Sequence, residues 1–379
     1  MKELAIFGST GSIGCSTLNV VRRHRDRFAV SILAAGRNLQ RLIEQIREFN
    51  PRHVYIIGEK DAAVLKALFP GLDIYRGEDG MDKVSRLTDF DIGVSALVGV
   101  AGLRPTWNMI NNGKTVALAN KEVLVAGGRL VMEAARKQGA ALLTVDSEHS
   151  AIMQCLRGEN HGEIERILLT ASGGPFFDRE ITDGITPEEA LRHPTWKMGP
   201  KITIDSATMM NKGFEIIEAR WLFDVPVERV QVVIHRQSIV HSMVEFKDGS
   251  IMANIAPPDM ELPIAYALSY PERMEMPQRL DIFAMKALEF KAPDEEKFPC
   301  LRLAKEAARA GYGAQVVLNA ANEALVARFL AGGLRFTDIP RGVEEMLRQH
   351  TPGEPGSIDE VLALDEETRH RTEEWMKTR

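Results

Sequence analysis

The sequence predicts an α/β protein of three consecutive domains, and three observations support this prediction. The chain has 379 residues, which at roughly 150 residues per domain is enough for two or three domains. Residues 1–146 alternate short apolar runs with amphipathic stretches, as parallel sheets covered by helices do. Strand signals become closely spaced in residues 147–277 and fade afterwards. We therefore predict a parallel-sheet domain (1–146), an α+β domain (147–277), a linker (278–297) and an all-helical domain (298–379).

Six short apolar runs in the first domain are predicted to be buried strands. They are Leu4–Phe7, Ala29–Ala34, Val54–Ile57, Ile92–Leu97, Thr115–Leu118 and Ala141–Val145. Segments with helical periodicity lie between several of them, for example Leu39–Phe49 and Gly128–Gln138. Parallel strands need long crossover connections, which are usually helices, so this order favours a parallel sheet.

The second and third domains are predicted from different signals. The second domain has strand candidates at Ile164–Thr170, Ile202–Ile204, Val230–Ile234, Ser242–Phe246 and Ile251–Ile255, and a helix candidate at Thr208–Phe223. Asp248-Gly249 predicts a hairpin turn between its last two strands. The Gly- and Pro-rich stretch 173–200, with one short helix candidate near Pro187–Arg192, is predicted to be a flexible lid, with a disordered connection as the alternative. The third domain has helix candidates at Cys300–Ala310, Ala314–Leu330, Ile339–Arg348 and Ile358–Lys377.

The composition argues against several classes of protein. The 47 basic and 53 acidic residues leave a net charge of −6, whereas nucleic-acid binders usually present a basic face. No stretch approaches the ~18 uninterrupted apolar residues of a membrane span, and the N-terminus lacks signal-peptide features. Cys15, Cys155 and Cys300 are odd in number and far apart, which favours a reducing compartment. We expect a cytoplasmic enzyme with no nucleic-acid or membrane partner.

A glycine-rich turn follows the first predicted strand. The segment Gly8-Ser9-Thr10-Gly11-Ser12-Ile13-Gly14 leads into a helical stretch. A dinucleotide pyrophosphate needs this context, because the backbone can approach closely and a helix N-terminus presents N–H groups. The spacing differs from the commoner G-x-G-x-x-G, so a turn that only packs helix on strand is the alternative.

The end of the second predicted strand indicates which dinucleotide binds. An NAD site usually has an acidic residue there, which holds the ribose 2′-hydroxyl. This chain instead has Gly36-Arg37-Asn38. A guanidinium pairs with a 2′-phosphate, so we predict NADPH as the cofactor. The alternative is that Arg37 is an ordinary solvated surface residue.

Two acidic residues follow the last strand of the first domain. Asp146 and Glu148 are two apart, and in extended chain they would project the same way from the ligand-binding edge of the sheet. Neighbouring carboxylates repel each other, and a divalent metal removes that conflict. The alternative is a pair of solvated or helix-capping acids.

A second polar cluster is predicted on one helix face. Asn211 and Glu215 are four residues apart and Lys212 and Glu215 three apart, so they share a face. With nearby Ser206, Asn211 and Lys212 could hold a phosphate, and Glu215 could be a third oxygen ligand of a hard ion such as Mg²⁺ or Mn²⁺. A surface Lys–Glu pair is the alternative.

Further candidates lie at predicted strand ends and in the lid. Ser172-Gly173-Gly174 could bind an anion, Asn120-Lys121-Glu122 ends a strand at the ligand edge, and His193 and Trp196 could close over a substrate. His149, His235 and His241 could each be structural histidines. Cys155 lies in an apolar segment, which favours a core position over a nucleophile.

These segments, in this order, strongly resemble the family of 1-deoxy-D-xylulose 5-phosphate reductoisomerases, enzymes of isoprenoid biosynthesis. The segments that carry the resemblance are Gly8–Gly14, Ala119–Glu122, Val145–Ser150, Thr170–Phe176, Arg192–Gly199 and Ile204–Glu218. The resemblance covers essentially the whole chain. It implies a homodimer with a Rossmann-like NADPH domain, a catalytic domain and a C-terminal helical domain.

The resemblance also implies an activity and a set of site residues. The expected reaction rearranges and reduces 1-deoxy-D-xylulose 5-phosphate to 2-C-methyl-D-erythritol 4-phosphate with NADPH and Mg²⁺, Mn²⁺ or Co²⁺; whether the rearrangement is a retro-aldol cleavage or a ketol shift stays open. The implied metal ligands are Asp146, Glu148 and Glu215, and the implied substrate residues are Lys121, Ser147, Ser172, His193, Ser206, Asn211 and Lys212. The implied cofactor residues are Thr10, Gly11, Ser12, Ile13, Gly36, Arg37, Asn38, Asn120, Glu122 and Gly199.

Two other functions are compatible with parts of the sequence. A simple NADPH dehydrogenase of the semialdehyde or homoserine type would need no divalent metal, and the semialdehyde type would need a reactive cysteine. A non-catalytic NADPH sensor would have no use for three carboxylates beside an Asn-Lys phosphate site. Turnover with and without a metal chelator separates these readings.

Overall fold

The computed structural model of the protein describes residues 1–351 and 353–378. Pro352 and Arg379, which fall in the predicted C-terminal helical domain, lie outside the described residues. The structure divides into two compact units. The first unit contains Met1–Val123, Val131–Ser150 and Asp259–Met276, and the second contains the remaining described residues. The domain boundaries given above stay a prediction.

Strands and helices alternate through the first 155 residues. In chain order they are β1 (Lys2–Phe7), α1 (Ser12–Arg23), β2 (Phe28–Ala35), α2 (Leu39–Phe49), β3 (His53–Ile56), α3 (Glu59–Leu68), β4 (Asp73–Arg76), α4 (Gly77–Ser85), β5 (Ile92–Ser95), α5 (Leu103–Asn111), β6 (Thr115–Leu118), α6 (Lys121–Gln138), β7 (Leu142–Thr144) and α7 (Ser147–Cys155).

The remaining elements mix strands with helices and then become helical. They are β8 (Ile164–Ala171), α8 (Pro187–Ala190), α9 (Pro200–Thr208), α10 (Met210–Phe223), β9 (Val230–Ile234), β10 (Val240–Phe246), β11 (Ile251–Ile255), α11 (Glu261–Ser269), α12 (Pro299–Ala310), α13 (Tyr312–Leu330), α14 (Asp338–Gln349) and α15 (Ile358–Met376).

The first unit is built on a seven-stranded parallel sheet in the order β4-β3-β2-β1-β5-β6-β7. Leu4–Phe7 of the central strand β1 are fully buried, which explains why this strand reads as a continuous apolar run. Strand β1 pairs with β2 on one side and with β5 on the other, so the direction in which strands are added reverses at β1. Ligands of open α/β sheets bind at the carboxyl ends of the strands where the order reverses in this way. The predicted Rossmann-like fold is confirmed.

The second unit contains a four-stranded sheet and the C-terminal helices. Its strand order is β11-β10-β8-β9, with β8 and β9 parallel and β10 antiparallel to both of its neighbours. The predicted hairpin between β10 and β11 is present, and Gly249 in its turn has a φ of +85°. Helices α10, α12, α13 and α14 contribute side chains to one apolar core with β8 and β9. The predicted α+β and helical parts are confirmed.

Three features of the fold differ from the sequence prediction. Ile202–Ile204 is not a strand but part of α9, which begins at Pro200, a residue well suited to a first helical turn. The expected helix Thr208–Phe223 is broken at Met209, whose φ is +63°, so α9 and α10 are separate. The edge strand β4 and helix α11 were not predicted; β4 is only half-buried.

The predicted lid, 173–200, has little regular structure before α9. Its one short helix, α8, has the capping box of Thr186 and Glu189 at its start. Phe176 is fully buried and packs against Phe336, with ring centroids 5.1 Å apart. Asp183 pairs with Arg335 at 3.1 Å. The first half of this segment is therefore attached to the helical part of its own unit.

Among the described residues, no helix combines the length and the apolar character that crossing a bilayer requires.

Candidate active site

The glycine turn lies at the carboxyl end of β1, in the first unit. A Cβ at Gly8 would collide with the main chain of Ala96, and one at Gly14 would collide with the carbonyl group of Gly8. These positions therefore require glycine. Gly11, the residue before α1, gives no side-chain acceptor to the first turn of that helix. The turn thus has the close backbone approach and helix N-terminus that a pyrophosphate needs.

The segment after β2 carries the predicted cofactor-specificity residues. Gly36, Arg37 and Asn38 are exposed. Apart from Gly36 and its chain neighbours, the described part of the chain has no atom within 4 Å of a Cβ added to Gly36. The Asn38 side chain accepts a hydrogen bond from the backbone N–H of Arg41 and so caps α2. This places Arg37 directly before a helix start, at the ligand edge of the sheet.

Two residues of α2 that sequence reasoning missed link this helix to the glycine turn. Arg41 Nη1 donates to the carbonyl oxygen of Thr10 at 3.3 Å, and Gln45 Nε2 donates to that of Ser9 at 2.8 Å. Arg41 and Gln45 lie about one and two helical turns after the cap residue Asn38, and this spacing is the sequence feature that could have indicated them. The bonds couple the two segments that the cofactor is expected to contact.

The junction of β6 and α6 holds the predicted residues Asn120, Lys121 and Glu122, all buried. Asn120 caps α6 by accepting from the N–H of Val123, and its amide nitrogen donates to the carbonyl oxygens of Leu97 and Gly99. The Asn120 side chain therefore fixes the loop after β5.

The acidic pair follows β7. The sequence predicts an extended segment here, but helix α7 begins at Ser147, so the expected backbone geometry was wrong. The carboxylate oxygens of Asp146 and Glu148 nevertheless lie within 4.8 Å of one another. Ser147 Oγ donates to Glu148 at 2.7 Å.

Asp146 is surrounded by basic partners in its own unit. It pairs with Lys121 and with His149 Nδ1, the latter at 3.1 Å. Burial alone would raise the pKa of Asp146, but Lys121 and His149 hold it well below its usual range. Asp146 is therefore ionised, and His149 lies within hydrogen-bond distance of it.

In the second unit, Ser172-Gly173-Gly174 forms a tight turn after β8. The φ angles of Gly173 and Gly174 are +80° and +67°. The N–H of Gly174 donates to Ser172 Oγ at 3.2 Å. A Cβ at Gly174 would lie 2.6 Å from the carbonyl oxygen of Ser206, so the turn packs directly on the end of α9. The structure thus brings the Ser172 turn and Ser206 together.

His193, from the predicted lid, contacts this turn. Its Nε2 lies 2.9 Å from Ser172 Oγ, and its Nδ1 accepts the backbone N–H groups of Thr195 and Trp196. Because Nδ1 is an acceptor, the neutral ring must carry its proton on Nε2 and donate to Ser172. Burial, together with the charge of Arg236, lowers the pKa of His193 to about 4. The hydroxyl hydrogen of Ser172 is then available for a ligand oxygen.

Trp196 and Gly199 lie further along the lid. The Trp196 ring is tilted against His241, with centroids 6.3 Å apart. His241 is itself bonded to the carbonyl oxygens of Ala256 and Pro257, as expected of a structural histidine. Gly199 is exposed and precedes α9, where its carbonyl oxygen accepts from Thr203.

The predicted polar face of α10 is confirmed as a buried cluster. Glu215 is fully buried and Lys212 nearly so. Asn211 Nδ2 donates to Glu215 at 2.6 Å, and Lys212 Nζ pairs with its other oxygen at 2.5 Å. The alternative of a surface Lys–Glu pair is excluded by this burial. A carboxylate buried with a cation and an amide is suited to ion binding.

Two of the three cysteines are buried. Burial raises the pKa of the Cys155 thiol, in the core of the second unit, to about 11. Burial likewise raises the pKa of Cys300 to about 12. Neither of these thiols is a nucleophile at neutral pH, so Cys155, the candidate considered from sequence, does not support a semialdehyde dehydrogenase. Cys15 is half-buried in α1, beside Arg41.

Comparisons with known proteins agree with this geometry. Three family sequence profiles match the chain. The profile described as 1-deoxy-D-xylulose 5-phosphate reductoisomerase matches residues 4–128. The profile of the C-terminal domain of that enzyme matches residues 142–223, and the profile described as DXP reductoisomerase C-terminal domain matches residues 255–371. Curated relatives named 1-deoxy-D-xylulose 5-phosphate reductoisomerase include that of Prosthecochloris aestuarii, 52% identical over 96% of this chain and 97% of that protein. The relative from Shouchella clausii is 48% identical over 97% of this chain and 99% of that protein.

Solved structures of the same name are similar along the whole chain. One, a complex with NADPH, fosmidomycin and magnesium, has a TM-score of 0.95 and 40% identity, covering 100% of this chain and 98% of that one. The Zymomonas mobilis enzyme in complex with NADPH has a TM-score of 0.93 and 42% identity, with both chains fully covered. The resemblance seen in the sequence is confirmed, and the chain belongs to the 1-deoxy-D-xylulose 5-phosphate reductoisomerase family.

Proposed function

We propose that the protein converts 1-deoxy-D-xylulose 5-phosphate to 2-C-methyl-D-erythritol 4-phosphate, using NADPH and a divalent metal. The observation that carries this proposal is the similarity to enzymes of that name, at 52% identity over nearly the full length of both chains. The local geometry of each unit supports it, because each contains polar groups of the kind the reaction needs.

The first unit is proposed to bind NADPH. The glycine turn and the start of α1 would receive the pyrophosphate, and Arg37 would pair with the 2′-phosphate. Both amide hydrogens of Asn120 are engaged with main-chain oxygens, so we expect its cofactor contact to come from the backbone. When bound, NADPH supplies the hydride for the reduction.

The metal is proposed to bind Asp146, Glu148 and Glu215. The donors fit a hard divalent cation, because all are carboxylates and the oxygens of Asp146 and Glu148 lie within 4.8 Å of one another. When bound, the metal acts as a Lewis acid on the oxygens of the substrate. Lys121 and His149 keep Asp146 ionised, and Asn211 and Lys212 orient Glu215.

The substrate phosphate is proposed to bind in the second unit. Ser172, Ser206, Asn211 and Lys212 would hold it through hydroxyl, amide and ammonium donors. Lys121, Ser147 and Glu148 are proposed to contact the reacting end of the substrate. His193 and Trp196 would cover it, and the lid 173–200 would exclude water from a reactive intermediate.

We also infer that the protein is a homodimer in the cytoplasm. The edge strand β11 has three apolar side chains that are 42–51% exposed: Ile251, Met252 and Ile255. Exposed apolar edge strands favour pairing with another copy. Light scattering during gel filtration measures this state, and a monomer would contradict it. The free cysteines favour a reducing compartment.

NADPH oxidation with 1-deoxy-D-xylulose 5-phosphate tests the proposed activity. We expect substrate-dependent oxidation that EDTA abolishes and added Mg²⁺ or Mn²⁺ restores. A simple dehydrogenase would oxidise NADPH with a semialdehyde in the presence of EDTA, and a sensor would bind NADPH without turnover. Either result would overturn the proposal.

A further inference from the structure

Arg236 contacts the Ser172-Gly173-Gly174 turn, although no sequence motif indicated it. It lies just after β9. Its Nη1 donates to the carbonyl oxygens of Ser172 and Gly174, at 2.9 and 2.6 Å. The guanidinium also lies over the ring of Phe177, 5.8 Å from the centroid, and pairs with Asp178 at 3.4 Å. One side chain thus fixes both ends of the turn and the two residues after Phe176.

These contacts determine which way the turn presents its donors. In a planar trans peptide, N–H and C=O point in opposite directions. Because Arg236 binds the carbonyl of Ser172, the N–H of Gly173 points away from the guanidinium. The N–H of Gly174 is held by Ser172 Oγ, and the carbonyl of Gly174 precedes Pro175, which has no N–H. The carbonyl oxygens of Ser172 and Gly174 therefore face the guanidinium, whereas the Gly173 N–H points away from it.

We propose that Arg236 is a positioning residue for substrate binding: it holds the Ser172–Gly174 turn with the carbonyl oxygens of Ser172 and Gly174 turned away from the substrate phosphate. This inference rests on the proposed function. Carbonyl oxygens facing a phosphate would repel it, whereas N–H and hydroxyl groups attract it. Arg236 acts through the turn, because both hydrogens of Nη1 bond its carbonyl oxygens and Nη2 pairs with Asp178. Its charge also adds to burial in keeping His193, the donor to Ser172, neutral.

Three variants test the proposal. Arg236→Met keeps much of the apolar length but removes every donor, and Arg236→Lys retains a charged donor without the planar fork. Arg166→Met is the matched control. Arg166 lies on β8, is similarly exposed (39% against 31%), and bonds Glu245 and Gln231 at 2.7 and 2.9 Å.

Hydrogen exchange is the first measurement, and it is independent of the activity. Peptides covering 172–178 should lose protection about tenfold or more in Arg236→Met, because two charge-assisted bonds are gone, and less in Arg236→Lys. Arg166→Met should leave this segment unchanged. Unchanged protection in Arg236→Met would overturn the proposal, whether or not the protein turns over the expected substrate.

Steady-state kinetics are the second measurement. The KM for 1-deoxy-D-xylulose 5-phosphate should rise about tenfold or more in Arg236→Met, with partial recovery in Arg236→Lys. The KM for NADPH should stay close to that of the wild type and of Arg166→Met. A loss of kcat with unchanged substrate KM, or an equal rise in both KM values, would overturn the proposal. No turnover by the wild type would instead refute the proposed function and leave the exchange result to decide the role of Arg236.

Discussion

Replacing Gly174 by alanine is expected to damage catalysis much more than folding. Gly174 has a φ of +67°, and a Cβ built on it would lie 2.6 Å from the carbonyl oxygen of Ser206. Nonbonded carbon atoms are normally ~3.5 Å apart and contacts with oxygen are slightly shorter, so the turn and the end of α9 must separate by roughly half an ångström. Ser172 and Ser206, both proposed to hold the phosphate, lie on the two sides of this contact.

The substitution has two costs of different kinds. The left-handed backbone costs an alanine about 1–2 kcal/mol of stability, and each kcal/mol lowers the melting temperature by roughly 2–4 °C in a domain of about this size. The collision misplaces the phosphate donors, and a misplacement of ~1 Å can reduce turnover about a hundredfold. For half that shift, we expect kcat/KM for 1-deoxy-D-xylulose 5-phosphate to fall roughly tenfold or more.

Gly332→Ala separates the two costs. Gly332 follows α13 and has a φ of +74°, and among the described residues only its own atoms and its chain neighbours lie within 4 Å of an added Cβ. This variant pays the backbone cost without a collision, so its melting temperature should fall while its kinetics stay normal. The assay measures melting temperature and substrate-dependent NADPH oxidation for both variants. If kcat/KM of Gly174→Ala stays within about twofold of Gly332→Ala, the reasoning is refuted.

Three further outcomes are expected. Arg37→Ala should reduce the NADPH-over-NADH preference in kcat/KM about tenfold or more; an unchanged ratio would contradict its 2′-phosphate role. Glu215→Gln should lower metal-dependent turnover by orders of magnitude, whereas Glu323→Gln, in the corresponding Asn319–Glu323 pair of α13, should keep normal turnover; equal effects would exclude a ligand role. Because the pKa of His193 is lowered, its ring should hold residues 193–196 fully above pH 6.5 and should lose this contribution as the pH falls towards about 4. Hydrogen-exchange protection of this segment should therefore fall over this pH range in the wild type but not in His193→Asn. The same pH dependence in both proteins would contradict the assignment.

Strands buried on both faces have the clearest sequence signal, whereas the exposed strand Ile251–Ile255 was predicted together with the Asp248-Gly249 turn before it. Leu4–Phe7 reads as a continuous apolar run because β1 is central in its sheet. The edge strand Asp73–Arg76 has charged ends and half-buried centres, so it carries no such signal. Ile202–Ile204 was predicted to be a strand but is helical. Its β-branched residues favour strands locally, while Pro200 and the packing of α9 favour a helix.

In the candidate site, contacts between residues close in sequence could likewise be predicted, whereas contacts between distant residues could not. Helical spacing alone predicts the Asn211–Glu215 and Lys212–Glu215 contacts, and both are present. Arg236 could not be found this way, because it bonds residues more than 60 positions away. Its role depends on β8 and β9 lying side by side in the sheet, and no local pattern contains that pairing.

Lys212 and Glu215 of the candidate site pair with each other, and this pairing has a consequence for ligand binding. Glu215 is fully buried and shares its oxygens between Asn211 and Lys212; losing one member of such a pair would leave a costly buried charge. If the proposed function is correct, Glu215 would hold the metal and would no longer need Lys212 as its positive partner, so Lys212 could pair with the substrate phosphate. Pairing of Lys212 with a phosphate would leave Glu215 open to the metal by the same exchange. We therefore expect metal and substrate to favour each other's binding, with a coupling that must be equal in both directions.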